Sequence, residues 1–454
     1  AGAAAAAAAA DFVTLLEEKS DVWINVSNIL DFFPLHDSTV KFIWSSERSG
    51  YRHLELVSCD LERLQPTAAV QLTSGEWVVE NCGVTVSCAE DEVYFMGRLD
   101  SPTEAHLYRL PVRGLLEWVR GDPIIETLHP GEPSRLTKAG FYHEVVISHD
   151  GSTIIDTRSS VAQPPVCEII FGDQPDGGSV ELFRHPEVPE YVVPELVHFT
   201  SERHGHEVYG RVYRALRNEG DPPPPTVLHV YGGPLVQFVA NKYGGGNLKA
   251  SLWARMGYNV VSFDNGGSVN RGLAFEGMLK YKLGEVEVCD QVDGLEYLAG
   301  SGRYGVSLDR VAVYGHSYGG YMSLMALVKR PDVFQMALAA APVTFWEAYD
   351  TAYTERYLGL PRSRPLAYAE SSVVGFADKF PDEKNRLFLF HGLQDENVHF
   401  HNSAVLIDSL IKEGKPYQLQ VFPRDRHGIR TKHSSIHYMT ALTVALEEHL
   451  MRRE

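Results

Sequence analysis

Three residues in this chain, Ser317, Asp395 and His427, could together perform nucleophilic acyl transfer. Ser317 stands in Gly315-His316-Ser317-Tyr318-Gly319, after the apolar run Val311-Ala-Val-Tyr314 and before Tyr321-Met-Ser-Leu-Met-Ala-Leu-Val328. A strand, a sharp turn and a helix in that order lift a serine hydroxyl clear of a sheet, and small residues on either side let the turn close. The helix that starts behind the serine aims backbone N–H groups at the place where an oxyanion would form. A serine hydroxyl needs a base, and the base needs an orienting carboxylate. Asp395 lies in His391-Gly-Leu-Gln-Asp395-Glu-Asn-Val398, directly after Leu387-Phe-Leu-Phe390. His427 lies in Pro423-Arg-Asp-Arg-His427-Gly428, directly after Gln418-Leu-Gln-Val-Phe422. Glu396 is an alternative orienter. His391 is an alternative base, though it sits too near the strand end and Asp395 to suit that role.

An oxyanion needs two donors. The backbone N–H of Tyr318 is one by position. Tyr231, in Tyr231-Gly-Gly-Pro234 after Thr226-Val-Leu-His-Val230, offers its phenol as the other. On these residues alone an ordinary strand-end aromatic fits Tyr231 equally well.

The elements that must hold these groups change character along the chain. Residues 186–454 alternate buried strands with helical patterns, the grammar of a mostly parallel sheet covered by helices on both faces. In such sheets the functional loops follow the strand carboxyl ends, and the order Ser, Asp, His is that of α/β-hydrolases. This region is expected to be the catalytic domain. Residues 11–185 read instead as short β-branched and aromatic strands between Gly, Pro, Ser and Asp clusters. Val40-x-Phe42 with His53-Leu54 returns as Val93-x-Phe95 with His106-Leu107, and Leu72-Thr73 returns as Leu136-Thr137. A third start, Ile147-Ser-His-Asp-Gly151-Ser-Thr-Ile-Ile, has the form strand, turn, strand. Repeats of this length with several strands each are the signature of propeller blades, with a β-sandwich as the alternative. A propeller closes with at least four blades. Two or three fit here, so this region is expected to be the carboxy-terminal blades of a longer propeller. The Ala-rich residues 1–10 read as artificial or unassigned sequence.

Composition narrows the function. Hydrophobic content of 44% and charged content of 22% are those of a globular protein, and 454 residues exceed one core. A formal net charge of −18 argues against nucleic acid as a partner. No apolar run is long enough to span a membrane. The five cysteines are scattered without metal spacing; Cys82 and Cys88 could pair as strand neighbours, but buried free thiols are the preferred reading. Asn25-Val-Ser27 is a lone glycosylation sequon, and a cytoplasmic location is expected. The chemistry calls for no cofactor and no metal.

Taken together, these motifs resemble the prolyl oligopeptidase family of serine peptidases, in which a propeller covers an α/β-hydrolase. Ala341-Pro-Val-Thr-Phe-Trp-Glu-Ala-Tyr349-Asp-Thr-Ala-Tyr353-Thr-Glu-Arg-Tyr and Asp395-Glu-Asn-Val-His-Phe400 are similar to its dipeptidyl peptidase IV subfamily. Lys415-Pro-Tyr-Gln-Leu-Gln, Leu72-Thr-Ser-Gly-Glu-Trp77 and Asp21-Val-Trp-Ile-Asn-Val26 resemble the cytosolic dipeptidyl peptidase 8/9 branch. The resemblance implies Ser317, Asp395 and His427 as the triad and Tyr231 as the side-chain oxyanion donor. It implies a pocket for a penultimate proline lined by Tyr318, Val343, Trp346, Tyr349, Tyr353 and Val398. Asn397 would bind the carbonyl of the amino-terminal residue. Without the family, plain core packing accounts for each pocket residue.

The implied substrates are peptides with a free amino terminus and a penultimate Pro or Ala, cleaved by a homodimer formed through the hydrolase domain. Activity should fall below about pH 6 to 7, where an imidazole base becomes protonated. Two departures stand out. His316 occupies a position usually held by Trp in the subfamily. The only early acidic pair, Glu17-Glu18, precedes Lys-Ser-Asp-Val-Trp-Ile-Asn and therefore aligns with a stretch other than the amine clamp; the segment that would carry the clamp is expected to be missing. The rival readings are an oligopeptidase or acylaminoacyl-peptidase with the same triad, and a catalytically silent binding protein of the same fold.

Overall fold

The computed structural model describes residues 14–62, 65–121, 128–171, 178–217, 220 and 222–451. The Ala-rich tract at 1–10 lies outside the described residues.

The first part of the chain forms three antiparallel sheets in succession. Strands β1 (Leu30–Phe32), β2 (Thr39–Ser46), β3 (His53–Asp60) and β4 (Gln65–Gln71) pair in chain order. The second sheet contains β5 (Val79–Ser87), β6 (Glu92–Gly97), β7 (His106–Arg113), β8 (His129–Pro130) and β9 (Ser134–Arg135), with the short helix α1 (Leu115–Arg120) after β7. The third is β10 (Tyr142–Ile147), β11 (Thr153–Ser159), β12 (Val166–Phe171) and β13 (Ser179–Arg184), again in chain order. Sequential antiparallel pairing, with β9 turning back onto β7 in the second sheet, is the blade pattern of a propeller.

The repeated residues have a physical role. His53 Nδ1 lies 3.0 Å from Thr73 Oγ1, which also accepts the Leu54 N–H at 2.9 Å. In the next sheet His106 Nδ1 lies 3.0 Å from Thr137 Oγ1, which accepts the Leu107 N–H at 3.1 Å. Both histidines and both threonines are buried. Each pair ties the end of its sheet to the start of an inner strand, so the His-Leu and Leu-Thr motifs recur together. In the third sheet His143 bonds Asp156 at 2.8 Å instead.

From β14 (Glu195–Thr200) the chain builds one eight-stranded sheet with β15 (Glu207–Tyr213), β16 (Thr226–Val230), β17 (Asn259–Asp264), β18 (Val311–His316), β19 (Phe334–Ala340), β20 (Leu387–Gly392) and β21 (Gln418–Phe422). The strand order is β14-β15-β17-β16-β18-β19-β20-β21. The β14–β15 and β15–β17 pairs are antiparallel, and every later pair is parallel. Helices α2 (Gly245–Arg255), α3 (Leu273–Glu276), α4 (Val286–Gly300), α5 (Tyr318–Lys329), α6 (Thr351–Leu358), α7 (Pro365–Ser371), α8 (His401–Lys412) and α9 (Lys432–Leu446) connect and cover the strands. One apolar cluster packs α4, α5 and α8 on one face; the other packs α2 and α9 on the opposite face. Central strands β16, β17 and β18 are buried on both faces, which is why they read as continuous apolar runs.

The cysteine expectation needs correction. All five thiols are free, Cys82 and Cys88 included, but only Cys59 is buried; Cys82 is exposed and the other three are intermediate. Asn25 of the sequon is engaged too: its Nδ2 donates to Glu276 at 2.8 Å and Glu47 at 3.0 Å.

Candidate active site

Ser317 stands between β18 and α5 with φ 62° and ψ −119°, a conformation that costs a residue with a side chain about 1–3 kcal/mol. The turn is over-determined by its surroundings. The Ser317 N–H donates to Ala340 O at 2.8 Å. A Cβ at Gly315 would run into the Gly319 and Val230 carbonyls, one at Gly319 into Val230 O, and one at Gly320 into Ala340 O. Glycine at these positions lets β16 and β19 close against the elbow. Tyr318 is the first residue of α5, whose first-turn N–H groups have no intrahelical acceptor.

His427 and Asp395 reach the serine from the two neighbouring strand ends. His427 Nε2 lies 3.0 Å from Ser317 Oγ, and His427 Nδ1 lies 2.8 Å from Asp395 Oδ2. Asp395 Oδ1 accepts the N–H groups of Asn397 at 3.0 Å and Val398 at 2.8 Å. Burial pushes the Asp395 carboxyl up, but hydrogen bonds from His391, His427 and the Asn397 N–H outweigh it and hold the group well below the usual carboxylate range. The loops carrying Asp395 and His427 meet at Gly392, where a Cβ would strike the carbonyls of Asp425 and Arg426. The Leu393 N–H bonds Phe422 O at 3.0 Å and the Gln394 N–H bonds Asp425 O at 3.1 Å, which fixes their separation.

The two alternatives sit elsewhere. Exposed Glu396 takes the His427 backbone N–H at 3.4 Å and Arg426 at 3.0 Å, while the imidazole turns to Asp395. His391 is fully buried; its Nε2 lies 2.8 Å from Val398 O and 3.2 Å from Asp395, and its Nδ1 lies 2.8 Å from Ser403 Oγ. It props the carboxylate from behind.

Beside the serine lies an aromatic group. Tyr231 follows β16 with its ring centroid 6.1 Å from that of Tyr318, and burial followed by neighbouring Tyr349 raises its phenol pKa. Tyr318 packs 5.7 Å from Trp346, which lies 6.2 Å from both Tyr349 and Tyr353. Val343, Trp346 and Val398 are buried. The Tyr349 hydroxyl donates to Asn397 Oδ1 at 3.1 Å, which links the α6 approach to the Asp395 loop.

His316, inside the elbow motif, and several residues outside it support the site. His316 Nε2 donates to the His427 backbone carbonyl at 2.7 Å, with the two rings 4.7 Å apart. Burial, then neighbouring His427, pushes the His316 imidazole down to about 4. Glu287 takes the Tyr318 hydroxyl at 2.5 Å. Asn265 donates to Gly232 O at 2.9 Å and is itself held by Gln291. For the α4 residues the sequence shows the stripe but not its burial: Glu287, Asp290 and Gln291 lie at i, i+3, i+4 amid Val286, Val288, Val292 and Leu295. Such a stripe ordinarily faces water; here it is buried.

Comparisons with known proteins give the chain's relatives. Residues 246–452 match the model described as prolyl oligopeptidase family, and residues 3–165 match the dipeptidyl peptidase IV (DPP IV) N-terminal region. Dipeptidyl peptidase 8 from Homo sapiens is 39% identical over 97% of this chain and 51% of its own length. The chain belongs to the prolyl oligopeptidase family. The Mus musculus dipeptidyl peptidase 8 is 38% identical over the same shares. A probable dipeptidyl-aminopeptidase B from Coccidioides posadasii is 29% identical over 90% of this chain and 43% of the relative. This family member thus spans about half the length of the relatives it matches. Its α/β-hydrolase is preceded by propeller sheets, and among the described residues no helix is long and apolar enough to cross a membrane.

Proposed function

We propose that the whole protein is a serine dipeptidyl peptidase that releases Xaa-Pro or Xaa-Ala from free peptide amino termini. The observation that carries this reading is the continuous path Ser317 Oγ, His427, Asp395 at 3.0 and 2.8 Å, beside an aromatic pocket. His427 Nε2 takes the Ser317 proton as Oγ attacks the carbonyl carbon of the penultimate residue. The phenol of Tyr231 and the Tyr318 N–H receive the developing oxyanion. His427 then passes its proton to the departing amine, and water, deprotonated in turn by His427, hydrolyses the acyl-enzyme.

Tyr318, Val343, Trp346, Tyr349, Tyr353 and Val398 suit a pyrrolidine ring, which has no N–H to satisfy. Asn397 Oδ1 is taken by Tyr349, so its Nδ2 is the end that can donate to the carbonyl of the amino-terminal residue. The names of the dipeptidyl peptidase 8 relatives support the exopeptidase reading over the oligopeptidase one. A cytoplasmic homodimer, joined through the hydrolase domain, completes the proposal.

The test is release of a coumarin from Gly-Pro and acetyl-Gly-Pro conjugates by full-length protein, with Ser317→Ala as control. Cleavage of the free-amine substrate alone is expected. Cleavage of both would favour an oligopeptidase, and cleavage of neither a binding role.

A further inference from the structure

Helix α4 turns its polar stripe inward. Glu287 and Asp290 are completely buried and Gln291 is 1% exposed. Burying three such groups on one helix face is costly unless each is hydrogen-bonded, and each is bonded to a strand-end loop of the candidate site. Glu287 Oε1 accepts the Tyr318 hydroxyl at 2.5 Å and the Gly284 N–H at 2.9 Å. Asp290 Oδ2 accepts the Gly266 N–H at 2.7 Å. Gln291 Nε2 donates to Asn265 Oδ1 at 2.8 Å, and Asn265 Nδ2 donates to Gly232 O, the residue after Tyr231.

The Glu287 contact is the most consequential. Its second oxygen, Oε2, is buried without a partner among the described residues. A carboxyl in that position is a poor choice for stability alone, since an apolar pair of the same shape would cost nothing to bury. What it gains is direction. The Tyr318 ring has Gly233 against one side, too close to admit a Cβ there, and Tyr321 and Trp346 at 5.2 and 5.7 Å. Packing holds the ring from its sides, and the hydroxyl-to-Glu287 bond anchors its far end.

We propose that Glu287 is a positioning residue: by anchoring the Tyr318 phenol it sets the pocket wall that distinguishes proline from smaller residues. The proposal rests on the peptidase reading above. Full-length wild type, Glu287→Leu, Glu287→Gln, Tyr318→Phe and the Glu287→Leu/Tyr318→Phe double variant would be compared on Gly-Pro and Gly-Ala coumarin conjugates. Rates would be normalised to sites titrated with a fluorophosphonate, which removes the effect of misfolded protein. Glu287→Leu is expected to lower the Pro-over-Ala ratio of kcat/KM by about tenfold, the size of a one-methylene error in a pocket. Glu287→Gln retains an acceptor for Tyr318 and is expected to keep that ratio within about threefold. Tyr318→Phe breaks the same bond, so the double variant should lose no more than the worse single one.

An unchanged ratio in Glu287→Leu would overturn the proposal, as would additive losses. Should Glu287→Leu give no titratable protein, an unchanged ratio in Tyr318→Phe would overturn it instead. Wild-type protein that cleaves neither substrate would overturn the peptidase reading and this proposal with it; an unchanged ratio in an active variant would overturn the proposal alone.

Discussion

His316 bears directly on how His427, the proposed base, is held. It donates to the backbone carbonyl of His427 across the elbow and stands in the position that Trp usually fills in the resembling subfamily. Its folded imidazole is driven from 6.5 down to about 4, by burial first. Between those values the unfolded chain binds a proton that the folded chain refuses, so stability rises with pH across this window. The contribution is fully present above about pH 6.5 and lost as the pH falls towards 4. Thermal melts at pH 7 and pH 4.5 should show wild type losing more stability in acid than His316→Phe. Parallel losses in the two proteins would refute this account of His316. The motif around Ser317 was legible because its residue types are constrained by chemistry. His316 could be marked as unusual, but its partner could not, because a backbone carbonyl leaves no trace in a side-chain pattern.

At the elbow, β18 passes into α5. Gly315, Gly319 and Gly320 are each pressed against a neighbouring strand-end carbonyl. A methyl at Gly319 would overlap Val230 O, the residue before Tyr231. Gly319→Ala is therefore expected to push β16 and β18 apart at the site. Overpacking of this kind costs about 1–3 kcal/mol, and activity should fall further than stability because the Tyr231 loop moves with β16. Denaturant unfolding alongside turnover per folded molecule would check this; a variant with wild-type turnover would contradict it. The strands and helices of this region were readable from alternating apolar runs. The buried stripe on α4 was not, because periodicity reports which face is polar and not whether that face meets water. The propeller repeat was readable as a likeness of His, Leu and Thr spacings, and the His–Thr hydrogen bonds supply its cause.

At the scale of the whole molecule, the loop that follows Tyr231 is also the joint between the two parts. Asn241 is buried, and its backbone N–H donates to Thr103 O at 2.8 Å. Its side chain donates to Glu104 at 2.9 Å and Gly140 O at 3.0 Å, and accepts the Val161 N–H at 3.1 Å. On the other side, Asp264 receives the Phe238 and Val239 N–H groups, both at 2.8 Å, which ties the same loop to β17. The propeller sheets thereby help to hold the segment that carries Tyr231. Asn241→Ala removes the acceptor of the buried Val161 N–H and the donor to Glu104 Oε1, while Glu104 Oε2 keeps His106 and the Gly140 N–H; an unsatisfied buried group costs about 1–3 kcal/mol. The expected outcome is a lower melting temperature with faster proteolysis between residues 186 and 245; unchanged values in both would contradict it. Composition shifts and prolines marked where one part gives way to the other, but the hydrogen bonds that cross the joint involve residues far apart in sequence and ordinary in type.

In the proposed function Ser317 is the nucleophile, activated by His427 on Asp395. The most direct measurement is mass spectrometry of the full-length protein after reaction with a fluorophosphonate, with Gly-Pro-coumarin hydrolysis followed in parallel. One adduct is expected, on the peptide containing Ser317, with activity lost in proportion to labelling. No adduct is expected in Ser317→Ala. Labelling at another serine, or residual hydrolysis by a fully labelled protein, would contradict that role for Ser317.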